Sequence, residues 1–205
     1  MRKRINPYNQ NLLKVFVRSE SLCEECPFRG NKRVWGEGEY FGNIIICGEA
    51  PGADEDKQGR PFVGRAGKEL DKALREVEIP RRNNWITNVL SCRPPENNFN
   101  HSSSVVARNK CYSGFQQEFN FLKSGGKDEF SGFKVIAVLG LNASRYFGIM
   151  GSMKEIHGKE FDWCGYKVIP TYHPSYIIRS HSKEIRDSWI KDLTTIRDTA
   201  LLESV

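Results

Sequence analysis

The chain has 205 residues, of which 39% are hydrophobic and 27% charged, with six cysteines and a formal net charge of +6. That length sets a single domain over 1–205 as the expectation, the composition excludes a disordered chain, and no apolar stretch reaches the roughly 18 residues of a membrane span. The start, MRKRINPYNQ, is basic but has no apolar signal-peptide segment behind it, which points to a cytoplasmic protein, and the positive surplus favours a polyanionic partner such as nucleic acid.

The first motif in chain order is CEEC, where Cys23 and Cys26 have the spacing with which one loop presents two thiolates to one metal. In a reducing compartment this reads as a metal or redox site rather than a disulfide. Two further ligands must lie elsewhere, and Cys92 in SCRPP and Cys111 in NKCY are the candidates. Zinc and a 4Fe-4S cluster both accept four thiolates, so spacing leaves the two open. Cys47, ending an apolar run, and Cys164, in the expected hairpin DWCGYK, read as small core hydrophobes.

Four β-branched or aromatic runs read as strands: 43–47 (NIIIC), 85–90 (WITNVL), 133–139 (FKVIAVL) and 166–172 (YKVIPTY). Between the first two, Ala66, Leu70, Ala73, Leu74 and Val77 recur at helical spacing. A second helix is expected over 105–122 with Phe115, Phe119 and Leu122 on one face, and a short third is expected to start on Asn142 as its cap and stop at Gly148. A C-terminal helix places Ile185, Trp189, Leu193 and Ile196 on one stripe. Strands alternating with helices predict an α/β fold, a parallel sheet covered on both faces. ENNFNHSSS (96–104) and KSGGKDEFSG (123–132) are the expected mobile loops.

In such a sheet ligands bind beyond the carboxyl ends of the strands. Glu49 stands just past the first strand in GEAPG, Asn88 near the end of the second, and His173 just past the fourth. Gly48 and Gly52 let the backbone approach a ligand closely and expose N–H groups, including that of Ala50. A phosphate-binding P-loop fits badly, because Glu69 follows Gly67 and Lys68 where Ser or Thr is required, and no GxGxxG follows the strand. Asn88, inside an apolar run, offers one donor and one acceptor, which suits reading a base edge or bonding a neighbouring loop. Phe62 in a glycine-rich turn needs something to pack on. Pro174 is expected to hold the turn after His173 extended, and Tyr176, Ile177, Ile178 and Arg179 form an apolar and cationic tip able to fill the gap left by a nucleotide leaving a duplex.

Taken together, GEAPGADEDKQGRPFVGRAG, ITNVLSCRPPENN and HPSYIIR, in this order and separation, resemble the family 4 uracil-DNA glycosylases, the 4Fe-4S-containing branch of the uracil-DNA glycosylase superfamily. The resemblance implies a three-layer α/β/α fold with a central four-stranded parallel sheet and an integral 4Fe-4S cluster on Cys23, Cys26, Cys92 and Cys111. It implies Phe62 and Asn88 as stacking and reading residues for a flipped base, with Ala50 in the same pocket. Glu49 and His173 would be catalytic, Glu55 an aid to Glu49, and Ser175 and Arg179 DNA contacts. The implied protein is a DNA-binding monomer that hydrolyses the bond between uracil and deoxyribose. Two departures stand out: eighteen residues separate Cys92 from Cys111 without the proline-rich continuation of the family, and position 53 is Ala. These keep two alternatives in view, a glycosylase of this fold for a modified pyrimidine and a non-catalytic 4Fe-4S nucleic-acid-binding protein.

Overall fold

The structure, a computed structural model, describes residues 23–39, 42–124 and 133–202. The basic N-terminal stretch and most of the expected loop at 123–132 lie outside the described residues. The elements run β1 (Glu37–Gly38), β2 (Ile44–Gly48), α1 (Ala53–Gln58), α2 (Arg65–Glu76), β3 (Trp85–Asn88), α3 (Ser102–Ser124), β4 (Val135–Leu139), α4 (Leu141–Tyr146), α5 (Met153–Ile156), β5 (Phe161–Trp163), β6 (Tyr166–Thr171), α6 (Pro174–Ser180) and α7 (Lys183–Leu202). The sheet has the order β1-β3-β2-β4-β6-β5. Its four central strands are parallel, as expected, and match the four apolar runs. Two short antiparallel edge strands, β1 and β5, extend it to six, a mixed sheet rather than a purely parallel one.

Side-chain alternation along β2 divides the core. Ile44 and Ile46 face one side with Leu70 and Leu74 of α2 and Trp189, Leu193 and Ile196 of α7. Ile45 and Cys47 face the other with Phe115 and Phe119 of α3 and Phe147 after α4. Helices thus cover both faces, which is why the central strands are apolar throughout instead of alternating with polar residues. The C-terminal stripe is the docking face expected: Trp189 is fully buried, and truncating such a side chain to Ala costs about 3–5 kcal/mol.

Several local expectations are corrected. Cys164 is exposed, because it and Gly165 have positive φ (49° and 82°) in the two-residue turn joining β5 to β6, a hairpin turn that points its side chain outward. Asn142 is the second residue of α4, which Gly140 caps instead. Pro174 opens α6 directly, since its fixed φ suits the first helical position and its missing N–H would have had no helical partner. The segment 96–104 is anchored: Phe99 is buried beneath Arg108, whose guanidinium lies 4.6 Å from the ring centroid, and α3 begins at Ser102. Ile177 packs in the core, leaving Tyr176 and Arg179 as the exposed part of the expected tip.

Candidate active site

The carboxyl ends of β2, β3, β4 and β6 open into one cavity of about 1080 Å³. Glu49, Ala50, Glu55, Phe62, Asn88, His173, Ser175 and Arg179 all line it. The eight side chains come from segments up to 130 residues apart, gathered by the parallel register of four strands.

Gly48 explains how two of them meet. It ends β2 opposite Asn88 of β3, and a Cβ there would fall 2.4 Å from both Asn88 Oδ1 and Phe62 Cζ. The missing side chain is therefore the space in which a buried amide and an aromatic edge approach each other. Phe62 reaches this point with φ of 51°, a conformation that bulky residues adopt only when their surroundings compel it. The compulsion comes from Arg81, which donates from Nη1 to Phe62 O (3.1 Å) and from Nη2 to Pro61 O (2.7 Å). Asp71 (2.8 Å) and Glu37 (3.1 Å) hold the guanidinium in turn. Gly67 of α2 also lies so close that a Cβ would sit 1.9 Å from Phe62 O.

Glu49 is half-buried at the turn after β2, with its backbone carbonyl accepting from Leu90 N (3.1 Å). Asn142 Nδ2 donates to Glu49 Oε2 at 3.0 Å. Burial raises the Glu49 pKa, while Asn142, Arg108 and Arg179 pull it back. Glu55 is differently engaged: its carboxylate accepts from the backbone N–H groups of Gly52 (3.1 Å), Val63 (2.9 Å) and Gly64 (2.8 Å). Those bonds staple the GEAPG turn to the Phe62 turn, taking two bonds at Oε1 and one at Oε2.

His173 caps α6. Its Nδ1 accepts from Ser175 N (3.2 Å) and lies 2.7 Å from Ser175 Oγ, so the ring proton of the neutral imidazole belongs on Nε2. Burial, and then the Arg179 charge, draw its pKa down to about 4. The ring centroid lies 6.0 Å from that of Phe62, and the tight Gly140 turn, with φ of 93°, brings the chain against the His173 Cβ. At neutral pH the ring is an uncharged Nε2–H donor. Together the cavity offers a planar apolar ring, an amide, an uncharged donor and a carboxylate, a set suited to a flat polar heterocycle attached to a sugar.

The four cysteines form a second group. Burial pushes the Cys92 thiol up to about 12, and Cys111, Cys23 and Cys26 all add to that shift, so those three lie within electrostatic reach of Cys92. Phe28 N donates to Cys26 Sγ at 3.5 Å, the kind of backbone contact that supports a thiolate. Among the described residues, no three His, Cys, Asp or Glu side chains are placed to hold a single metal ion. The donor chemistry, four sulfurs and no competing carboxylate in the group, fits a centre that takes thiolates alone.

Sequence reasoning missed Asn142 and Arg81. Asn142 is legible as a polar residue after a strand, but the pattern reads it as a cap. Arg81 carries no local signal, because its partners lie on other segments.

Comparison with known proteins follows the same lines. The profile of the Uracil DNA glycosylase superfamily matches residues 35–194. A Type-4 uracil-DNA glycosylase from Thermotoga maritima is 37% identical over 189 residues, covering 90% of this chain and 92% of the relative. Similar proteins of the same name from Sulfurisphaera tokodaii and Pyrobaculum aerophilum are 34% and 35% identical, covering 92% and 83% of this chain and 84% and 86% of theirs.

Proposed function

The chain belongs to the uracil DNA glycosylase superfamily, and from that premise we propose that it removes uracil from DNA by hydrolysing the N-glycosidic bond, leaving an abasic site. The observation that carries this reading is the meeting of Phe62 and Asn88 across Gly48 in the cavity that also holds Glu49 and His173. The target nucleotide leaves the duplex to reach it, because the reacting bond is inaccessible within the stack. Phe62 stacks on the base and Asn88 reads its pyrimidine edge with one donor and one acceptor. The Ala50 backbone borders the same pocket.

The bond from C1′ to the base breaks with its electron pair leaving on the base, and negative charge develops at O2. His173 Nε2–H donates to that oxygen. An uncharged donor suits this task because it stabilises the departing anion without having to lose its proton, and losing one such donor typically costs about 100-fold to 1000-fold in rate. Glu49, ionised, faces the electron-poor sugar and takes the proton of the water whose oxygen bonds to C1′. Asn142 holds that carboxylate in place. Glu55 acts by stapling the two turns. Ser175 and Arg179, at the first and last turns of α6, contact the DNA backbone.

Cys23, Cys26, Cys92 and Cys111 would hold a 4Fe-4S cluster, which would link the CEEC loop to the segment after β3 and to α3. The described helices include none long and apolar enough to cross a membrane. The reading carries a monomer that works in the cytoplasm. Abasic-site formation on a uracil-containing duplex under single-turnover conditions tests the reading. Glu49→Gln should slow it at least tenfold, and Asn88→Ala should erode the preference for uracil over cytosine and thymine. Parent protein that forms no abasic sites would overturn it.

A further inference from the structure

The cavity of about 1080 Å³ exceeds the roughly 300–1,000 Å³ of a pocket for a drug-sized ligand, so one base and its sugar do not account for it. Part of its wall is built from residues that the base chemistry leaves unused: Lys154 and His157 around α5, Tyr172 before α6 and Tyr176 within it. The rings of His157 and Tyr172 lie 4.9 Å apart, and Tyr172 stacks on Tyr176 at 5.7 Å and 12°.

His157 is held with more care than a rim residue needs. Its Nδ1 lies 3.0 Å from both carboxylate oxygens of Asp192, a residue only 3% exposed on α7. Thr171 Oγ1 donates to Asp192 Oδ2 at 2.6 Å, fixing the carboxylate from β6. Gly158 makes room for the pair, since a Cβ there would meet Asp192 Oδ1 at 2.5 Å. The other ring nitrogen, Nε2, has no partner among the described residues, and 24% of the side chain is exposed where it lines the cavity. Lys154, one turn earlier, likewise has an ammonium without a partner among them. The nearby acid Glu155 is taken up by Ser152, whose N and Oγ both donate to Oε2 at 2.7 Å.

An imidazole whose Nδ1 is fixed by a buried carboxyl group and whose Nε2 faces open space, beside an ammonium unpartnered among the described residues, presents an oriented polar edge to whatever enters that part of the cavity. We propose that this is a DNA phosphodiester, and that Lys154, with His157 oriented beside it by Asp192, forms a phosphate subsite for a linkage next to the extruded nucleotide. This rests on the glycosylase reading for the identity of the polyanion. It adds to that reading a second point of grip on the strand, which holds the sugar while the base is drawn toward Phe62.

The test is equilibrium binding of the full-length protein to a duplex carrying a tetrahydrofuran abasic analogue, which cannot be cleaved. Phosphates flanking the analogue are replaced one at a time by neutral methylphosphonates. With the parent, one linkage beside the analogue should cost about tenfold in affinity, the scale of a charge-assisted hydrogen bond. With His157→Gln, the all-phosphate duplex should bind about tenfold more weakly and that same linkage should become silent, while the other linkages keep their cost. The slope of log K against log salt should fall by about 0.9, one phosphate's share. A His157→Gln variant in which every linkage costs what it costs the parent overturns the proposal and reduces the pair to a structural tie. Should the variant fold poorly, the parent decides: the ¹⁵N resonance of His157 Nε2 should move with the all-phosphate duplex and stay put with the critical methylphosphonate. An equal response to both duplexes contradicts the subsite. Base release distinguishes this failure from the other, since a protein with the phosphate coupling but no uracil release would keep the subsite and lose the glycosylase reading.

Discussion

Two histidines line one cavity and are prepared for opposite tasks. His173 accepts a backbone hydrogen bond at Nδ1 and is kept uncharged by burial and by Arg179. His157 has its Nδ1 fixed by the buried carboxyl group of Asp192, which leaves Nε2 facing the cavity. The first arrangement suits charge that appears only in the transition state, and the second suits the permanent charge of a phosphate. Ring identity is the same in both, so the partner at Nδ1 is what separates a ring placed for catalysis from one placed for binding.

The largest expected effect breaks this comparison on one side only. His173→Ala should lower single-turnover uracil release by about 100-fold to 1000-fold while duplex affinity changes only a few-fold. His157→Gln should show the reverse emphasis, with its loss carried by the protein concentration needed for half-maximal rate. The neutral state of His173 also leaves a mark on stability. Its folded pKa near 4 lies below the ordinary 6.5, so the unfolded chain binds the proton more readily between those limits. Stability should therefore fall as pH drops from about 6.5 to about 4, and chemical denaturation of His173→Gln across that window should show less of the decline.

A smaller effect is expected at Asn142. Removing its hydrogen bond to the Glu49 carboxylate should slow release about tenfold, the scale of a bond to a charged group. The same donor lowers the Glu49 pKa against the effect of burial, so Asn142→Ala should move the acid limb of the rate profile to higher pH. A pH–rate profile for both proteins checks the direction of that shift.

Arg81→Ala should act through Phe62. Its guanidinium holds the carbonyls that keep Phe62 at positive φ, and thermal denaturation should show a loss of about 2 kcal/mol together with weaker binding of the base. The smallest effect belongs to Cys164→Ser, which should stay within about 0.5 kcal/mol of the parent and keep the brown colour of a bound iron–sulfur cluster. Cys111→Ser should lose colour and stability together.

Much of this site was legible because its residues sit in short segments tied to strand ends. Glu49, Asn88 and His173 each follow or end an apolar run, and a parallel sheet brings such positions to one edge. The central four strands were legible for the same reason, as continuous apolar runs. Of the edge strands, β5 was legible only through the DWCGYK hairpin it forms with β6, and β1, two residues long, was not legible at all. Nor was the second histidine, because the chemistry of His157 depends on Asp192, thirty-five residues away on another element. Glu55 shows the converse limit: its place in a functional motif was evident, but its three bonds to backbone N–H groups of two turns were not.

The most direct test of the whole account is mass spectrometry of bases released from a panel of duplexes containing uracil, thymine, cytosine or a modified pyrimidine at one position. Parent protein should release free uracil and leave thymine and cytosine in place, and His173→Ala should release the same base about 100-fold to 1000-fold more slowly. Release of no base by the parent, or release at the parent rate by His173→Ala, would contradict it.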